Sequence, residues 1–128
     1  MNFHHIGLCC SNIQLEKKIY KKIGANNFTK IYIDKKIKVK VCFFKLGGLR
    51  YELVSPLTKS SPISNLIKKK TRIYHVAYTV KNINEKIKQF INKGAIQVYP
   101  ITRAIALNNR KICFIFFPNK DLIELIES

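Results

Sequence analysis

The chain has 128 residues, enough for one compact domain and too few for two independent ones of ordinary size. Its 47% hydrophobic content argues against disorder, and no apolar run approaches the ~20 residues that a membrane-spanning helix needs. A formal charge of +17 invites nucleic acid, yet the basic clusters at 35–40 and 68–72 do not interleave with aromatic residues as a single-strand stacking platform would. Neither nucleic acid nor a membrane is therefore expected as a partner. The basic surface is read as a solvated face, one that draws a small anionic substrate. The N-terminus lacks the basic-then-apolar layout of a secretory signal, which makes cytoplasm the expected location.

In chain order, residues 3–10 are apolar and rich enough in β-branched and aromatic side chains to read as a strand. Ser11 or Asn12 caps a helix whose Leu15, Ile19, Tyr20 and Ile23 form one apolar stripe, and Gly24 stops it. Strands follow at about 28–33, 37–45 and 49–55, the last two joined at Gly47-Gly48. Residues 56–72 connect the halves, with Ser61 and Pro62 as the cap and first turn of a short helix that packs Ile63, Leu66 and Ile67 inward. The second half opens with a strand at 73–80. Its helix has Ile83, Ile87, Phe90 and Ile91 as the apolar stripe and ends at Gly94, and strands follow at 96–99, 111–117 and 121–127. Each half is strand, helix, then three strands, an α+β pattern in one domain with module one at about 1–55 and module two at about 73–128.

The halves repeat one another. His5-Ile-Gly-Leu matches His75-Val-Ala-Tyr, Asn12-Ile13 matches Asn82-Ile83, Lys18 matches Lys88, and Gly24-Ala25 matches Gly94-Ala95. Every pair has the same offset, 70 positions (75 minus 5), without a gap. Two of the three histidines thus occupy equivalent places. The third, His4, aligns with Tyr74 and points to the opposite face of its strand, a structural position.

The carboxylates follow the repeat. Of seven acidic residues, Glu16 and Glu85 fall on the polar sides of helices and Glu127 lies near the chain end. Glu52 and Glu124 are each an isolated charge inside an apolar strand, and each follows a phenylalanine pair, Phe43-Phe44 or Phe116-Phe117. A carboxylate buried in such a place needs a metal or a basic group beside it. Two imidazoles and two carboxylates suit one divalent transition ion, with positions left open for water or substrate oxygens; nickel, cobalt, iron, manganese and zinc all fit. Arg103, Arg110 and Lys111 are candidates for holding a phosphate or carboxylate of the substrate. The four cysteines, Cys9, Cys10, Cys42 and Cys113, show no C-x-x-C spacing and read as packed core thiols.

The order His-Ile-Gly from His5, Tyr-Glu-Leu-Val-Ser-Pro-Leu from Tyr51, Ser61-Pro62-Ile63, Tyr74-His75-Val-Ala and Leu122-Ile-Glu-Leu resembles the glyoxalase/bleomycin resistance/dioxygenase, or vicinal oxygen chelate, superfamily. Within it the chain is most similar to methylmalonyl-CoA epimerase-like and glyoxalase-like bacterial proteins. The resemblance implies paired βαβββ modules forming a curved mixed sheet around a metal held by His5, Glu52, His75 and Glu124. It further implies proton transfer next to a carbonyl through a metal-stabilised enolate, with Glu124 and Glu52 as ligand and base. The substrate would be an acyl-CoA or a thiol adduct, and the assembly a homodimer. A glyoxalase I-type lyase and a non-catalytic resistance protein that binds a small molecule are the alternatives. Residues 101–110 stand where the epimerase has a glycine-rich loop.

Overall fold

Two asparagines start the two long helices. In the computed structural model, which describes residues 1–128, Asn12 and Asn82 both have extended backbones. Asn12 Oδ1 accepts the N–H of Leu15 at 3.0 Å, and Asn82 Oδ1 accepts that of Glu85 at 3.1 Å. Each side chain thus satisfies one of the donors that a helix N-terminus leaves without an intrahelical partner. At the other ends Gly24 and Gly94 take φ of +102° and +95°, the left-handed conformation that closes a helix most readily when the residue has no Cβ. The next residues, Ala25 and Ala95, donate back to the carbonyls of Tyr20 and Phe90. No helix is long and apolar enough to cross a membrane.

The residues form two compact units, His5–Tyr74 and the combination of Met1–His4 with His75–Ser128. The first contains most of β1 (Asn2–Cys9), then α1 (Ile13–Lys22), β2 (Tyr32–Asp34), β3 (Val39–Leu46), β4 (Leu49–Pro56) and α2 (Ser64–Lys68). Its strands run β2-β3-β4-β1, antiparallel except for β4 and β1, which are parallel. Gly47 and Gly48, both at positive φ, make the tight turn between β3 and β4. Leu8, Cys10, Cys42, Phe44 and Leu53 lie on the sheet face that packs with Ile13 and Tyr20 of α1.

The second unit contains most of β5 (Ile73–Val80), then α3 (Ile83–Asn92), β6 (Ile96–Gln97), β7 (Thr102–Ala104), β8 (Arg110–Phe116) and β9 (Leu122–Glu127). Here β5 pairs with β9 in parallel, β9 with β8 antiparallel, and both β6 and β7 with β8. Val80, Cys113, Ile115 and Leu125 form the core with Ile83 and Ile87 of α3. The expected α+β class and its two strand–helix–strands modules are the observed fold.

Three local expectations are corrected. Leu15, Ile19 and Ile23 do not face the core of the first unit: Ile13 and Tyr20 do, and the other three are exposed. Reading the stripe one-third of a turn off merged two faces of α1, because Tyr20 is apolar and adjacent to both. In α3 the misfit is smaller, since Ile83, Ile87 and Phe90 pack and only Ile91 turns outward. The short helix begins at Ser64 rather than at Pro62, and Ile63, not Ser61, precedes it, without a side-chain cap. Finally, residues 101–110 are not a plain loop. Thr102–Ala104 add the strand β7 against β8, followed by a single 3-10 turn at Ile105–Leu107. Asn108 and Asn109 at φ of 57° and 59° turn the chain into β8.

Candidate functional site

Strand pleating decides which side chains share a face, and in each unit the face away from the helix carries one histidine and one glutamate. In the first unit Gly7 of β1 sits opposite Glu52 of β4, so His5, two residues before Gly7, points to the same side as Glu52. His5 Nε2 lies 3.5 Å from Glu52 Oε1. Phe43 of β3 is opposite Glu52 on its other flank, and its ring meets the imidazole edge-on at 5.1 Å and 80°. Val39, Val41 and Val54 complete an apolar surround on that face.

The second unit repeats this by the same means. Ala77 of β5 is opposite Glu124 of β9, which brings His75 to that side, with His75 Nε2 3.1 Å from Glu124 Oε2. Phe114 of β8 is opposite Glu124, and its ring meets His75 at 5.5 Å and 86°. All four polar residues are buried, His5 completely and Glu124 to 3% exposure. Burying a carboxylate away from water is costly unless opposite charge or strong donors compensate. Each pair therefore has the chemistry of a site suited to a cation: one imidazole nitrogen and one carboxylate oxygen, close together in an apolar wall.

The register also identifies residues that the sequence pattern misplaced. Phe114, not Phe116, is the counterpart of Phe43; Phe116 faces Leu122 near the sheet margin. The signal was present, since Phe43-Phe44 and Phe114-Ile115 both put an aromatic ring on the glutamate face and a core residue behind it. Arg50 was not singled out by sequence, yet on β4 it shares the face of Glu52.

The three candidate substrate-binding cations do not act as a group. Arg110 shares the face of Phe114 and Glu124; its guanidinium donates to the Leu107 carbonyl at 3.1 Å and lies 3.4 Å from His4 Nε2. Lys111 points to the helix side, 3.6 Å from Glu127 Oε1. Arg103, opposite Lys111, donates to the Asn109 carbonyl at 2.9 Å and so braces the turn before β8. Alternation along β8 separates neighbours in sequence onto opposite faces.

The thiols are packed, as expected. Cys42 lies 3.2 Å from the Thr29 carbonyl and Cys113 3.5 Å from that of Tyr99, again at equivalent places in the two units. Burial pushes the Cys9 and Cys10 thiols up to about 12 and Cys113 up to about 11. Such thiols hold their protons and are poor nucleophiles.

A family model described as the Glyoxalase/Bleomycin resistance protein/Dioxygenase superfamily matches residues 4–114. The chain belongs to that superfamily. A relative, an uncharacterized protein of Bacillus subtilis (strain 168), is 29% identical over 126 residues, covering 96% of this chain and 89% of that one. Among solved structures, methylmalonyl-CoA epimerase from Mycobacterium tuberculosis matches with a TM-score of 0.84 at 23% identity, over 99% of this chain and 87% of that one. A variant of the Streptomyces coelicolor epimerase, in complex with 2-nitronate-propionyl-CoA, matches at 0.85 and 19%, over 100% and 97%. At such identities the likeness establishes the fold, the paired βαβββ modules of the vicinal oxygen chelate type.

Proposed function

We propose that His5, Glu52, His75 and Glu124 together hold one divalent transition-metal ion, and that the protein catalyses proton transfer at a carbon next to a carbonyl, most like methylmalonyl-CoA epimerase. One observation carries this reading: the same buried histidine–glutamate pair, backed by the same edge-on phenylalanine, occurs twice in a chain of the superfamily. These four residues are also a set of the kind that could hold a metal ion. The fit is chemical, since two imidazoles and two carboxylates match nickel, cobalt, iron, manganese or zinc and leave coordination positions for other oxygens.

A bound ion would supply Lewis acidity, which lowers the cost of negative charge on a carbonyl oxygen as the neighbouring carbon loses its proton. The protein's own task is to take that proton, and the placement of its acids narrows the choice. Glu16 is held by Arg72, with contacts of 2.8 and 3.1 Å. Asp34 accepts the N–H groups of Lys36 and Ile37 in the turn after β2. Glu127 accepts the N–H of Ile83, and Glu85 and Asp121 are exposed. Only Glu52 and Glu124 lie on the faces that carry the histidines, so a carboxylate oxygen of Glu124 or Glu52 is the base as well as a ligand.

The substrate class follows from charge and kinship. A chain of +17 draws anions, and the epimerases of the same fold act on a CoA thioester, so an anionic acyl-CoA is the proposed substrate, held in part by Arg110. A glyoxalase I-type lyase acting on a thiol adduct would need the same four residues. The test uses metal-loaded protein in deuterated water, with methylmalonyl-CoA in one arm and the methylglyoxal–glutathione hemithioacetal in the other. Deuterium entering methylmalonyl-CoA next to the thioester carbonyl supports the epimerase reading. Turnover of the hemithioacetal alone moves the protein to the lyase class, and no exchange in either arm rejects both.

A further inference from the structure

Beside the Glu52–Phe43 pair the first unit carries two cations that its repeat lacks. One step along the hairpin towards Gly47-Gly48, Lys45 stands directly across from Arg50. Both alternate with Phe44 and Tyr51, so their side chains leave the sheet on the face of Phe43 and Glu52. In the second unit the same step from the Glu124–Phe114 pair reaches Leu122 and Phe116, two apolar residues. This corner of the fold therefore needs no charge, yet the first unit places two of one sign there.

Backbone bonding brings the two cations close. The N–H and C=O of Lys45 both turn to Asn26, at 2.8 and 2.9 Å. Lys45 and Arg50 are thus a non-hydrogen-bonded pair, the kind whose facing Cα atoms are only ~4.5 Å apart. Like charges in such a pair destabilise a sheet. The other cross-strand cation pair, Arg103 with Lys111, is accommodated within the protein: Lys111 lies 3.6 Å from Glu127, and Arg103 donates to the Asn109 carbonyl. In the first unit the acids are Glu16, Asp34 and Glu52. Arg72 holds Glu16, and Asp34 accepts the N–H groups of Lys36 and Ile37. Glu52 lies 3.5 Å from His5, in the pair proposed to hold the metal ion. Two cations thus share a face with one carboxylate, and the excess is positive.

Position indicates which part of a substrate such a pair would meet. Arg50 is two residues from Glu52, about 7 Å along the strand. Lys45 is exposed and Arg50 half-buried, so the pair marks the solvent edge of the face. A guanidinium takes a carboxylate or phosphate through two parallel N–H bonds, and an ammonium adds a point charge. We propose that Lys45 and Arg50 form an anion-recognition site for the thiol-carrier end of the substrate. A phosphate of a CoA thioester and a carboxylate of a glutathione adduct share the required chemistry. This rests on the reading that substrate enters on the face of Glu52, and not on which reaction follows.

The test is equilibrium binding to the metal-loaded protein, measured by calorimetry with S-methyl-coenzyme A and with S-methylglutathione. Blocking the sulfur keeps either probe from acting as a thiolate ligand. Lys45→Phe with Arg50→Leu gives the first unit the residues of the second, and Lys45→Gln with Arg50→Gln removes the same charges without adding apolar surface. Lys35→Gln with Lys36→Gln, in the exposed turn after β2, removes equal charge elsewhere. The parent and this control are expected to bind S-methyl-coenzyme A alike, and both pair variants roughly tenfold more weakly or less. The pair variants should resist urea at least as well as the parent, because a repulsion is gone. A pair-dependent loss confined to S-methylglutathione supports the same site and makes a carboxylate its anion. Equal binding by parent and pair variants overturns the proposal, as do equal weakening in the control and absence of binding by the parent. Weaker binding together with earlier unfolding in urea would assign the pair a structural role and overturns it too. Deuterium exchange into methylmalonyl-CoA, followed in the parent, keeps the two readings apart. Exchange by a parent whose binding ignores the pair overturns the anion site alone, whereas pair-dependent binding without exchange overturns the epimerase reading and supports the site.

Discussion

The two modules use the same parts where a histidine meets a glutamate and different parts where each helix is tied to the rest of its unit. His5, Phe43 and Glu52 have their equivalents in His75, Phe114 and Glu124, with matching register and ring geometry. The helix caps and stops match as well. Away from these points the solutions diverge. The first module ties its helix to residue 72, whose guanidinium grips both Glu16 and the Cys9 carbonyl. The second uses the Glu127 carboxylate on the Ile83 N–H, and pairs the two-residue strand β6 with β8 where the first has only the single bridge between Asn26 and Lys45. The outer surface of α1 is not among the features that the two halves hold equal.

The largest expected effect tests whether the two halves are equal at the site. Glu124→Gln should lower turnover by about 10²–10⁴-fold if it is the base, and Glu52→Gln serves as the comparison. Elemental analysis of His5→Ala and His75→Ala should show bound metal lost from both. Loss from one variant alone would break the equivalence of the modules and move the metal to a single half.

Core truncation comes next. Phe44→Ala removes a ring stacked on both Phe28 and Tyr51, an expected loss of about 3–5 kcal/mol in urea unfolding. Ile115→Ala, at the matching place in the second module, is expected to cost about 2–5 kcal/mol. If one variant shows a single transition and the other two, the modules unfold separately.

The thiols give a pH-dependent effect. An ordinary cysteine here has a reference value of 9.0, and burial raises Cys9 and Cys10 to about 12 and Cys113 to about 11. The unfolded chain therefore loses these protons first, so the stability they contribute is complete below about pH 9 and declines as pH rises towards 12. In the folded protein all four thiols should resist a disulfide reagent at pH 8 and react once denaturant is added. Rapid labelling of a native thiol would show that the packing around it opens.

The smallest effects concern the caps. Asn12→Ala and Asn82→Ala should each cost about 1 kcal/mol, equal within error if the two helices contribute alike. Arg72→Met has no partner experiment in the second module. Its ion pair with Glu16 is partly exposed, and the expected loss is at most about 1 kcal/mol.

Local chemistry in the chain was sufficient for much of this protein. Periodicity placed the long strands and both helices to within a residue or two, Asn12 and Asn82 announced the helix starts, and Gly24 and Gly94 the ends. The repeat, visible as an offset of 70, told which histidines are equivalent (5 and 75). What the sequence could not supply was register. A strand specifies its own alternation, but which residue stands across from Glu124 depends on hydrogen bonding to a strand elsewhere in the chain, and tertiary structure chose Phe114 over Phe116. The same pairing put Lys111 on the helix side with Glu127 and left Arg110 on the face of the glutamate. The rotation of α1 was decided in the same way, because Tyr20 and Leu15 are both apolar and only packing on the sheet could select the face that is buried.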